Sequence, residues 1–80
     1  MNLNDNFMVP DINQKKWEQL IQGKVNVPLS SYSLQIKVNS LNRLYRNGFI
    51  SIENAVKELY EMCKKYPKIY EDDLKKIFKN

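Results

Sequence analysis

Histidine is absent from this chain, cysteine and tryptophan occur once each, glycine twice and proline three times. Without an imidazole the usual acid–base group at neutral pH is missing, and the sole thiol, Cys63, has no partner to activate it as a nucleophile. A single cysteine also excludes an internal disulfide and suits a reducing compartment. The two glycines, Gly23 and Gly48, lie too far apart for a glycine-rich phosphate cradle. No apolar run is longer than the trio Phe7, Met8 and Val9, which rules out a membrane-spanning stretch, and the N-terminus lacks the basic and apolar regions of a secretory signal. These absences point to a cytoplasmic, non-enzymatic protein with no cofactor and no bound metal. The consecutive acids Glu71, Asp72 and Asp73 do not alter this: they lack the spacing of a calcium loop and point different ways on a helix.

What is present suits one small folded unit. Of the 80 residues, 42% are apolar and 28% charged, a composition that folds. So short a chain buries only roughly 60% of its unfolded surface, and its core rarely supplies more than about 3 to 5 kcal/mol. A partner or a second copy would add stability, so a homo-oligomer is an open expectation. The net charge is +4. Residues 41–80 carry nine Lys or Arg against six acids, and residues 1–40 four against three. That surplus permits an acidic partner or nucleic acid without requiring either.

Periodicity predicts an all-α fold, a small bundle of four short helices over roughly residues 11–22, 30–47, 51–66 and 70–79, which together form one helical domain (11–80). Residues 1–10 show neither alternation nor helical spacing and are read as an extended N-terminal arm. Asp11 and Gln14 have the spacing of a capping box for the first helix, whose Trp17, Leu20 and Ile21 fall within about 100° of one another. Gly23 is its stop. Val25 and Val27 alternate ahead of Pro28, but with no sheet partner in view they predict a linker. Ser30 and Ser31 are N-cap candidates for the second helix, with Leu34, Val38, Leu41 and Tyr45 as its core stripe and Leu44 at the edge. Asn47, Gly48 and Phe49 spell a Schellman turn, with Phe49 expected to touch Leu44. Ser51 should cap the third helix, with Ile50 packing on Ala55, so the second and third helices form an antiparallel or steeply angled hairpin.

The third helix has the broadest apolar face, made of Ile52, Ala55, Val56, Leu59, Tyr60, Met62, Cys63 and Tyr66. Cys63 falls in the middle of it and is read as a small core residue. Glu53 with Lys57, and Glu61 with Lys65, have favourable i to i+4 spacing. Pro67 is read as the end of this helix. The last helix is expected to begin near Glu71, its acids at the positive end and Lys75, Lys76 and Lys79 toward the other, with Tyr70, Leu74, Ile77 and Phe78 inward. The Leu-x-x-Leu, Gly, Ile-Ser, Glu rhythm between Leu41 and Lys65 resembles the short helical hairpins found at bacterial protein C-termini. It covers under a third of the chain, capping chemistry alone generates it, and no family is assigned.

Two surfaces then remain as candidates for function. Tyr32, Ile36, Asn39 and Arg43 lie roughly opposite the core stripe of the second helix, and Tyr and Arg are favoured interface anchors. In the arm, Phe7, Met8 and Val9 are apolar side chains that a partner or a second copy would cover. Together, Phe7, Met8, Val9, Tyr32, Ile36 and Arg43 predict a protein-interaction module, such as a small adaptor, regulator, inhibitor or assembly subunit, whose partner the sequence does not name. The first helix could instead cover either surface. The alternative is a nucleic-acid-binding accessory protein in which Arg43, Arg46, Lys64, Lys65 and Lys68 form one patch if the helix ends converge, with Tyr66 or Tyr70 free to stack. A groove-reading third helix is disfavoured, because its outer positions include Glu53, Glu58 and Glu61.

Overall fold

A computed structural model of the chain describes residues 14–78 and shows four α-helices around a shared core, with no strand among the described residues. They are α1 (Gln14–Ile21), α2 (Tyr32–Arg46), α3 (Ile52–Lys65) and α4 (Pro67–Phe78). The proposed arm over residues 1–10, with its Phe7, Met8 and Val9, lies outside the described residues, as does the Asp11 half of the capping box.

The helices form where their apolar spacing matches one turn in 3.6 residues. Trp17, Leu20 and Ile21 of α1, Leu34, Val38 and Leu41 of α2, Ala55, Val56, Leu59 and Cys63 of α3, and Tyr70, Leu74 and Phe78 of α4 make the buried core. Trp17 is its hinge point. Its indole meets the Tyr60 ring edge-on at 5.5 Å and the Phe78 ring at 5.1 Å, so one side chain of α1 touches both α3 and α4. Burial pushes the Cys63 thiol up to about 12, which keeps it protonated and inert at neutral pH.

The end of α1 is fully accounted for. Gln22 N–H donates to the Glu18 carbonyl, Gly23 N–H to Leu20 and Lys24 N–H to Gln19, the pattern of a Schellman turn with Gly23 at φ 80°. The fourth carbonyl, Ile21, accepts from Asn42 Nδ2 of α2 at 2.7 Å. A side chain from a neighbouring helix thus completes what the local sequence leaves open. The turn after α2 repeats the motif: Phe49 N–H donates to Leu44 and Gly48 N–H to Tyr45, with Gly48 at φ 79°. Ser51 then caps α3 by accepting from the Asn54 N–H at 3.1 Å. Lys37 of α2 reaches Glu58 of α3 at 3.5 Å, a pairing that gives the two helices the antiparallel register set by the short turn.

Several local expectations need correction. Ser31 stands before α2 but its side chain makes no capping bond, and its hydroxyl is buried without a hydrogen-bond partner, because ψ of 55° turns it away from the helix N–H groups. Phe49 makes the backbone turn onto Leu44 but is 76% exposed, so its ring stays outside the core. Pro67 does not merely end α3. It opens α4 at the first helical position, where a missing N–H costs nothing, and the Tyr66 carbonyl accepts from Ile69 and Tyr70. Tyr66 consequently leaves the buried face of α3 and is exposed, while Glu71, Asp72 and Asp73 lie past the first turn, out of reach of the positive helix end. Glu61 pairs with Lys64 at 3.6 Å instead of Lys65, and no Glu53–Lys57 ion pair forms among the described residues. Ser33, in the first turn of α2, has its Oγ 2.6 Å from the Tyr70 hydroxyl and ties α2 to α4.

Candidate functional site

The outer side of α2 is one place where the described residues leave large side chains uncovered, as Phe49, Tyr66 and Ile69 also are elsewhere. Its core stripe of Leu34, Val38 and Leu41 faces α1 and α3, which places Tyr32, Ile36, Asn39 and Arg43 roughly 160° away at the helical angle. Tyr32 is 69% exposed and Ile36 52%, and both Asn39 and Arg43 are exposed. α1 does not cover this face: its buried residues join the core, and Asn42, one residue before Arg43, holds its C-terminus. Tyr32, Ile36 and Arg43 are thus brought together on one accessible helix face. Phe7, Met8 and Val9 lie outside the described residues.

The five basic residues do not form one patch. The antiparallel register leaves Arg43 and Arg46 beside the start of α3, whereas Lys64, Lys65 and Lys68 surround its far end, about 20 Å away at 1.5 Å per residue. Lys64 is further engaged by Glu61 and by the Tyr60 ring, whose centroid is 5.5 Å from Nζ, and Lys65 lies 5.8 Å from the Tyr66 ring centroid. Tyr66 is exposed and available to stack, but the Tyr70 ring is buried and its hydroxyl engaged by Ser33. A shallow concavity of about 560 Å³ adjoins this end, lined by Glu61, Met62, Lys64, Lys65 and Tyr66. Of its charged groups, Glu61 and Lys64 pair with each other and Lys65 lies beside the Tyr66 ring.

A second concavity, of about 430 Å³, runs along α2 itself, between the 22–31 connection and the side of the helix that carries Gln35 and Asn39. Val25, Val27 and Leu29 form its outer wall, and no charged residue lines it. Val25 and Val27 pack partly against the core, while Leu29 is 83% exposed. Sequence reading treated this segment as a linker and missed its part in the surface. The available signal was Leu29, an apolar residue directly before the serines that precede α2. Asn42 was missed as well, because its capping partner is 21 residues away.

Among the described residues no three Cys, Asp or Glu side chains converge for a metal ion, and none of their helices is long and apolar enough to cross a membrane. No protein-family model, curated protein or solved structure matches the chain.

Proposed function

We propose that this chain is a non-enzymatic protein-interaction module, a small adaptor, inhibitor or assembly subunit that works in the cytoplasm by presenting the outer side of α2. The observation that carries the reading is the joint exposure of Tyr32 and Ile36, with Arg43 on the same face. An aromatic, a branched aliphatic and a guanidinium in one row match the anchors that dominate protein interfaces. Covering the exposed part of Ile36 would contribute on the order of 1 kcal/mol, and Tyr32 adds a rigid ring with a polar tip. A self-associated form is compatible with the same face. Against a nucleic-acid role stands the separation of Arg43 and Arg46 from Lys64, Lys65 and Lys68, which divides the charge that phosphate binding would need in one place.

The test is affinity capture from the native host with the wild-type chain and with the double variant Ile36→Ser, Arg43→Ser. The variant should retain its circular dichroism spectrum and lose the partner. Capture unchanged by the variant removes α2 as the interaction face. A DNA or RNA titration with steeply salt-dependent affinity would replace this reading with the phosphate-binding one.

A further inference from the structure

The positive charge of this protein has a location that its composition hides. Between Glu18 and Glu53 there is no acidic residue, and this window holds Lys24, Lys37, Arg43 and Arg46. The whole chain has 13 Lys or Arg and nine acids, so the remainder carries nine of each and the entire net charge of +4 belongs to α2 and its flanking turns. Lys37 is answered by Glu58 across the hairpin. Among the described residues neither Arg43 nor Arg46 has a carboxylate within ion-pair distance. Both are exposed, and both point to the outer side of α2 at the helical angle.

Along that side the chemistry changes from one end to the other. At the N-terminal half lies the uncharged concavity walled by Val25, Val27 and Leu29, with Gln35 and Asn39 on its helix side. Arg43 follows Asn39 by one turn and Arg46 by two, about 6 and 10 Å further on. Resting on the reading of α2 as an interaction face, we propose that it docks an acidic amphipathic helix of a partner protein. One apolar side chain enters the concavity beside Leu29, and carboxylates one to two turns away meet Arg43 and Arg46.

The orientation follows from the same charges. Helix N-terminal turns favour Asp and Glu, so a partner helix running antiparallel to α2 brings its acid-rich first turn to the arginine end and its next apolar turns to Ile36, Tyr32 and Leu29. Nucleic acid fits less well. Two guanidinium groups neutralise too few phosphates for useful affinity, and the concavity beside them carries no positive charge to add to theirs. In a second copy Glu58 and Glu61 are already held by Lys37 and Lys64, but Asp72 and Asp73 of α4 are in no ion pair among the described residues, so self-association is one outcome that the test distinguishes.

The probe is a synthetic helical peptide of about four turns, with three Glu in its first turn and Leu at i, i+3, i+4 and i+7 behind them. Its binding to the full chain is measured by fluorescence anisotropy beside a twin with Gln for Glu. The acidic peptide should bind roughly tenfold tighter at low salt, with the gap closing as salt rises. In R43E/R46E the preference should reverse toward a Lys-bearing twin, and Leu29→Asp should weaken all three peptides together. Equal binding of the Glu and Gln peptides, a preference unchanged in R43E/R46E, or no binding of the acidic peptide overturns the proposal. So does an oligonucleotide that binds tighter with the same arginine dependence, or a dimer that R43E/R46E dissociates. These results leave the module reading standing if Ile36→Ser still abolishes partner capture, whereas capture unaffected by Ile36→Ser sinks that reading itself.

Discussion

Helices α2 and α3 are neighbours of almost equal length, 15 and 14 residues, yet their sequences are used differently. α3 starts on a working serine cap, buries Ala55, Val56, Leu59 and Cys63, and turns outward a mixture of acids and amines in which Glu58 and Glu61 are paired. Nearly every position is explained by folding. α2 starts on a serine that makes no cap, buries Leu34, Val38 and Leu41, carries no acid, and leaves Tyr32, Ile36, Arg43 and Arg46 uncovered. Those four lie outside the buried cluster and the side chains packed against it. A helix whose residues exceed what its own packing requires is the more informative one about function.

That contrast can be broken by substitution, beginning with the largest effect. Leu59→Ala, at a fully buried position of α3, should cost about 3 kcal/mol, enough to unfold much of so small a domain in a thermal melt. Ile36→Ala on α2 should shift the melt by an amount equivalent to at most about 0.5 kcal/mol. A comparable loss at both positions would mean that α2 is core on two sides.

Alkaline pH tests α3 from another direction. The Cys63 pKa is raised to about 12 in the fold because burial disfavours the thiolate. A raised value means that the unfolded chain releases this proton first, so the stability contribution is complete below about pH 9 and is lost as the pH climbs toward 12. Urea titrations of Cys63→Ala should therefore show a shallower decline over that range than wild type. Equal slopes would place the thiol in water.

Asn42→Ala should cost about 1 to 2 kcal/mol, since it leaves the partly buried Ile21 carbonyl unpaired, and the loss should appear in chemical denaturation of the whole bundle. The smallest pair contrasts the two helix starts. Ser51→Ala should lose about 1 kcal/mol with its bond to the Asn54 N–H, whereas Ser31→Ala should be neutral or slightly stabilising, because it removes a buried hydroxyl that has no partner. If Ser31→Ala proves the costlier of the two, the start of α2 is capped after all.

Sequence alone determined the all-α class, most of the core stripe of each helix, the backbone of both glycine-ended turns and the Ser51 cap. Each depends on residues within one or two turns of each other, where a period of 3.6 or a single φ angle decides the outcome. The same locality misled at Pro67, where one residue both stops a helix and starts the next, and at Ser31, whose ψ depends on how the preceding connection packs. Only tertiary structure decided that Asn42 closes the end of α1, that Ser33 meets Tyr70, and that Arg43 and Arg46 lie a helix length from Lys64 and Lys65. It also decided that Leu29 walls a concavity along α2. The two hydrogen bonds join residues about 20 to 40 positions apart, and the others depend on how a connection or a helix end is placed, so they exist only once four amphipathic faces have closed on Trp17 and fixed which sides remain outward.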